Sequence, residues 1–180
     1  MLNQKEKNIL LKIARGALEN YFEEKSYIYK SRLTKNLKKN LGAFVTLKNK
    51  DNLKGCIGYT SSDDPLYKTV SDLAKQAAFN DSRFNKLTSN ELAKIKIEIS
   101  VLTEPKKINS VKEIELGRHG VIIEQGHKKG LFLPQVATEN SWDLKTFMDY
   151  LCEHKAGIPK EDWKNGKADI YTFEAIVFSE

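Results

Sequence analysis

The sequence predicts an α+β fold, a mainly antiparallel sheet flanked by helices. Two pairs of candidate strands, at residues 43–47 with 53–59 and 119–124 with 131–133, are joined by spacings too short for a crossover helix, which makes them hairpins. Three helix-period patterns separate them irregularly, with no repeated strand–helix–strand order, so a doubly wound parallel sheet is disfavoured. The run Ile95–Leu102 alternates Ile95, Ile97, Ile99 and Val101 with Lys96, Glu98 and Ser100, the pattern of a strand with one buried face.

The remaining elements follow in order. In residues 4–24, Ile9, Ile13 and Ala17 recur every fourth position beside Leu10, Ala14, Leu18, Tyr21 and Phe22, the apolar stripe of an amphipathic helix. Residues 25–41 are a basic connection with weak periodicity and room for a short helix. The turn Asn49-Lys50-Asp51-Asn52 closes the first hairpin. Asp64 as a cap and Pro65 at the first helical position open a helix that ends near Asn80. Its small residues Ala74, Ala77 and Ala78 let it sit close to a sheet. Pro105 ends the third strand region, and residues 125–130 turn the second hairpin. The last helix begins near Ser141 and carries Leu144, Phe147, Met148, Leu151 and Cys152 at helical spacing, with Gly157 as its C-terminal cap. A strand over residues 170–178 closes the chain.

At 180 residues, with 40% hydrophobic side chains, the chain suits one domain able to bury a core without disulfide or metal staples. Its two cysteines, Cys56 and Cys152, form no C-x-x-C pair, which points to a reducing compartment. The first twelve residues mix charges with apolar side chains, unlike a signal peptide. No apolar run approaches the roughly 18 residues of a membrane span. A cytoplasmic protein without membrane contact is expected. The formal net charge of +6 is mostly lysine interleaved with acids. Its densest stretch, residues 25–39, has Tyr27 and Tyr29 beside it and is the one candidate nucleic-acid face.

The most informative stretch is Leu53-Lys54-Gly55-Cys56-Ile57-Gly58. Strand alternation puts Lys54 and Cys56 on one face, where an ammonium favours the thiolate. Gly55 and Gly58 leave the backbone beside the sulfur open to close approach. In Asp81-Ser82-Arg83-Phe84, Asp81 and Arg83 form a local ion pair or Arg83 presents its fork to an anion. His119 opens a strand and is a candidate general base. Gln135 and Glu139 lie in a loop entering a helix, where polar groups are free to meet a ligand. Cys152 sits on an apolar stripe and reads as core. No Gly-rich phosphate loop, nucleophile elbow or zinc spacing is present, so no cofactor or metal is expected.

Taken together, these segments resemble the AMMECR family, also called AmmeMemoRadiSam system protein A. Leu53-Lys54-Gly55-Cys56-Ile57-Gly58 is similar to the family's L-R-G-C-I-G signature. Asp81-x-Arg83-Phe84, Glu98-Ile99-Ser100-Val101-Leu102, His119-Gly120-Val121, residues 131–137 with Glu139 and Trp142, and Leu151-Cys152 with Lys155-Ala156-Gly157 follow in family order. Lys54 departs from the family's arginine: it keeps the charge and loses the planar fork.

The resemblance implies a single domain over residues 1–180, with a larger lobe, a smaller packed lobe and a cleft lined by the signature strand. It also implies association with a Memo-like protein and a radical S-adenosylmethionine protein. No assigned reaction comes with it. Two function classes stay open. In one, the chain is an enzyme component acting on a small molecule or a protein. Cys56 would then be nucleophile or ligand contact, His119 or Glu98 acid or base, and Lys54, Gly55, Gly58, Asp81, Arg83, Gln135 and Glu139 would contact substrate. In the other it is a non-catalytic partner of those proteins. Nucleic-acid binding is a third, weaker reading.

Overall fold

In a computed structural model, which describes residues 2–25, 29, 32–50 and 52–180, the first helix α1 (Gln4–Phe22) starts at a capping box. The Asn3 side chain accepts from the Glu6 backbone N–H, and the Glu6 carboxylate accepts from that of Asn3. Glu6 is buried and also accepts from Thr34 at 2.6 Å and Asn36 at 3.1 Å. Burial pushes its carboxyl up, but these hydrogen bonds outweigh it and hold the group below its ordinary value. Glu6 thus ties the basic connection to the helix start. Much of that connection, residues 26–28, 30 and 31, lies outside the described residues. Where a short helix was expected there is a single 3-10 turn, Asn36–Lys38.

Strands β1 (Ala43–Asn49) and β2 (Asn52–Tyr59) form the first hairpin, with Asn49 opposite Asn52 and Lys50 at φ 54°. Strand β3 (Ile95–Leu102) pairs antiparallel with the other side of β1. Helix α2 (Leu66–Phe79) has Pro65 at its N-cap and no side-chain cap. The Asp64 side chain is not used as expected. Instead Thr69 donates its hydroxyl to the Asp64 carbonyl at 3.2 Å. A four-residue helix α3 (Ser89–Leu92), unforeseen in the sequence, starts at a Thr88–Glu91 capping box.

Residues 1–102 and 176–180 make up one compact unit and residues 103–175 a second. In the first, the apolar stripes of α1 and α2 cover one face of the sheet. Leu10, Ala14, Leu18, Leu66, Leu73 and Ala74 are buried there with Val45, Leu47, Ile97 and Ile99. Fully burying each large aliphatic side chain is worth about 1.5–3 kcal/mol. The chain end returns to this unit: the Glu180 backbone donates to the Ile97 carbonyl. The Glu180 carboxylate is clasped by Arg15, whose guanidinium also donates to the Leu92 and Ile95 carbonyls.

In the second unit, β5 (His119–Gln125) pairs with β6 (Lys128–Phe132) and with the first part of β7 (Asp169–Ser179). A two-residue strand β4 (Lys106–Lys107) pairs with β7 as well. The second hairpin turns on Gly126 and His127 alone, a tighter turn than residues 125–130. Gly126 takes φ 59°, and Lys129 reaches Glu124 at 2.6 Å across the pair, so the ladder continues almost to the tip. Gln135 and Glu139 lie in a short helix α4 (Gln135–Glu139) rather than a loop. Helix α5 (Leu144–Tyr150) is capped by Asp143 and widens into a π-helical turn, Leu151–Ala156, ended by Gly157 at φ 64°. Val121, Ile123, Phe147, Met148, Leu151 and Cys152 form this unit's core. Among the described residues no helix is long and apolar enough to cross a membrane.

Candidate functional site

The position of Cys56 depends on one extra residue. Across the hairpin, Asn49 faces Asn52 and Lys48 faces Leu53, but Leu47 faces Gly55 and Thr46 faces Cys56. Lys54 is the bulged residue. Without the bulge Cys56 would stand opposite Val45, whose side chain is buried in the core. With it, Cys56 shares the other face of the sheet with Thr46, and Thr46 in turn faces Glu98 on β3. The row Cys56–Thr46–Glu98 thus runs across three strands on the half-exposed face. The Thr46 hydroxyl donates to the Cys56 sulfur at 3.2 Å.

The backbone of Cys56 is held from the edge of the sheet. Its N–H donates to Asp81 Oδ2 at 2.8 Å, and its carbonyl accepts from Arg83 Nη2 at 2.8 Å. Asp81 and Arg83 are joined by three further hydrogen bonds, the Arg83 backbone N–H to Oδ1 at 3.2 Å, Nε to Oδ1 at 2.9 Å and Nη2 to Oδ2 at 2.8 Å. The pair therefore docks on both backbone groups of one residue of an edge strand, where a further strand would bind. Since these groups are turned away from β1, Cys56 and Thr46 are a non-hydrogen-bonded pair, the type whose side chains stand closer. Asp81 has only 3% of its side chain exposed, whereas Arg83 has 58% exposed. The Arg83 guanidinium, with help from the Cys56 N–H, holds the Asp81 carboxyl far below the ordinary carboxylate range. Arg83 is raised in turn, mainly by Asp81 and to a smaller extent by Cys56.

Lys54 is placed differently from expectation. The bulge breaks the alternation that would align it with Cys56, and its ammonium pairs with Glu91 at 2.7 Å. Glu91 also accepts from Thr88, and these partners, Lys54 first, bring its carboxyl down to about 2. The cation that contacts Cys56 is Arg83, through the Cys56 carbonyl. The two glycines are approached closely by the protein itself. A Cβ at Gly55 would stand 1.9 Å from the Ala77 carbonyl oxygen of α2, and one at Gly58 would stand 2.1 Å from the Phe44 ring. Glu98 pairs with Lys48 at 3.0 Å.

His119, Gln135 and Glu139 belong to the second unit. His119 Nδ1 accepts from the Glu115 backbone at 3.1 Å, and its Nε2 lies 3.8 Å from Glu174. Arg118 joins the same two acids. Cys152 is fully buried, and burial pushes its thiol up to about 11. Thr46 is the residue that sequence reasoning missed. Its outward position was readable from alternation in β1, but its partner was not, because the register depends on the bulge. Among the described residues no group of three or more His, Cys, Asp and Glu side chains is placed to hold a metal ion.

The AMMECR1 family profile matches residues 11–178. The chain belongs to this family. It is 40% identical to protein NEQ441 of Nanoarchaeum equitans over 178 residues, covering 95% of this chain and 98% of that one. It is 40% identical to protein MK0488 of Methanopyrus kandleri, covering 99% and 90%. The crystal structure of uncharacterized protein PH0010 from Pyrococcus horikoshii superposes with a TM-score of 0.74 at 34% identity, over 95% of this chain and 89% of that one. That solved structure shares the α+β architecture of this chain.

Proposed function

We propose that this AMMECR1 domain acts on a small anionic molecule at the Cys56 face of its first unit, as an enzyme or enzyme component. The observation that carries the reading is the bulge that turns the sulfur out of the core and onto the Thr46 hydroxyl. The hydroxyl holds the sulfur on the outward face, where a bound molecule can reach it. Arg83 uses Nε and Nη2 on Asp81 and the Cys56 carbonyl, and its remaining Nη1, on a side chain 58% exposed, is the donor offered to an anionic substrate group. Glu98 lies two strands from Cys56, roughly 10 Å across the sheet. Its acid–base role is thus exerted on the bound molecule or through Thr46, not on the sulfur directly.

The test compares iodoacetate with iodoacetamide as alkylating agents, using glutathione as the free-thiol reference. The expected result is a preference of Cys56 for the anionic reagent, relative to glutathione, that Arg83→Gln removes. Thr46→Val is expected to slow both reagents about fivefold, the worth of one hydrogen bond of ~1 kcal/mol. A reagent ratio equal to that of glutathione, with rates indifferent to Thr46→Val, would refute the proposal.

A second reading, a non-catalytic partner of a Memo-like or radical S-adenosylmethionine protein, draws on the two large apolar side chains exposed at the ends of β2. Leu53 is 39% exposed and Tyr59 46%. Retention by such a partner that Leu53→Asp and Tyr59→Asp abolish would support it. No association at micromolar concentration would dismiss it.

A further inference from the structure

A cavity of about 520 Å³ lies wholly within the second unit, between the β4 arm and the turn that leads into β7. Its volume falls within the roughly 300–1,000 Å³ typical of small-molecule sites. None of its lining residues belongs to the Cys56 face. Ile108 and Val111 wall one side, both half-buried against the unit's core, and Ala168 and Ile170 wall another.

Trp163 lines the same space and is anchored from behind. Its indole N–H donates to Asp149 Oδ1 at 2.9 Å, and Asp149, only 8% exposed, also accepts from Lys145 at 2.7 Å. A large flat ring, half-exposed at a cavity and fixed in orientation, offers contact area with little ordering cost.

The polar lining has a sign. Of its charged side chains two are cations, Lys107 and Lys164, and one is an anion, Asp169. Each lysine is paired only through an exposed contact: Lys107 with Asp169 at 2.8 Å, and Lys164 with Glu161 at 2.9 Å. Such pairs are worth about 0–1 kcal/mol, so an incoming anion replaces the carboxylate at small cost. The Lys164 ammonium stands 5.2 Å from the centre of the Trp163 ring, which places positive charge beside the flat surface. Asn109 is on the same lining, and its side-chain amide has no partner among the described residues.

We infer that this cavity binds a planar aromatic molecule carrying one carboxylate or phosphate. Its ring lies against Trp163 and the aliphatic wall. Its anionic group meets Lys107 and Lys164, and its polar edge meets Asn109.

The test uses the full chain with Trp142→Phe, which leaves Trp163 as the sole indole. Its fluorescence is titrated with adenosine monophosphate, nicotinate, adenosine and inorganic phosphate. A saturable change with at least one of the two anionic aromatics is expected, and it identifies which anion the site takes. Adenosine and phosphate should bind about tenfold or more weakly, as should the anionic aromatic to a Lys107→Glu, Lys164→Glu variant. Both lysines are exposed, so that variant's circular dichroism and melting should match the parent. Three outcomes overturn the inference: no saturable change with either anionic aromatic, equal affinity for adenosine and its monophosphate, or undiminished affinity in the lysine variant.

Discussion

Changing Gly55 to Ala tests how the signature strand is built. The added methyl would stand 1.9 Å from the Ala77 carbonyl oxygen and 2.9 Å from its carbonyl carbon. Both belong to the backbone of α2, so no side chain can swing aside. Opening that contact to 3.0 Å, the shortest that real structures tolerate, moves helix and strand apart by roughly 1.1 Å. That displacement loosens α2 along a face where Leu73, Ala74 and Ala77 are essentially fully buried. Overpacking of this kind costs about 1–3 kcal/mol, and the rigid backbone on both sides puts Gly55→Ala at the upper end. For a chain of this size about 3 kcal/mol lowers Tm by roughly 6–12 °C. The assay is thermal melting followed by far-ultraviolet circular dichroism. The matched control is Gly126→Asn, at φ 59° with nothing within 4 Å of its Cβ position. Asparagine tolerates this conformation, so the control should melt within a degree or two of the parent. A Gly55→Ala melt equal to the control's would refute the close helix–strand contact.

Other consequences are as direct. Asp81→Ala leaves the Cys56 N–H without its acceptor, and a loss of about 1–3 kcal/mol in urea denaturation is expected. Asp81 and Glu91 both have folded values below their unfolded ones. Their contribution is therefore complete above the unfolded values of about 3.9 and 4.3. It falls away as pH drops: for Glu91 by about 2, and for Asp81 further still. The stability difference between the parent and Lys54→Met, about 0.5–1 kcal/mol for a partly exposed pair, should accordingly be full at pH 7 and shrink on acidification. Iodoacetamide at mildly alkaline pH should modify Cys56 in the native chain and Cys152 only after denaturation, since Cys152 is fully buried with its thiol raised to about 11. Peptide mapping reads this, and equal labelling of both would contradict the burial.

The sequence announces those parts of the fold that depend on local burial. The stripe Ile9, Ile13 and Ala17, the alternation of Ile95 through Val101, and the small face of α2 are repeats of side-chain character, and a repeat survives without knowledge of neighbours. The site depends on register, which is not local. Alternation alone groups Lys54 with Cys56, but the bulge separates them and hands Lys54 to Glu91. The same bulge makes Thr46 the neighbour of the sulfur and brings Glu98 into its row. The Asp81–Arg83 pairing was legible because the two residues are two positions apart in sequence. Its docking on the Cys56 backbone was not, because α2 separates the two segments.

One consequence concerns the order in which the chain assembles. The first unit needs residues 176–180, and Arg15 there waits for a carboxylate 165 positions further on. The second unit, residues 103–175, is continuous. During synthesis the downstream unit has all of its residues in hand before the upstream one does. Until residues 176–180 leave the ribosome, Arg15 lacks its Glu180 partner and the Ile97 carbonyl of β3 lacks its donor. In the growing chain, that edge of β3 presents unpaired backbone groups of the kind another strand pairs with.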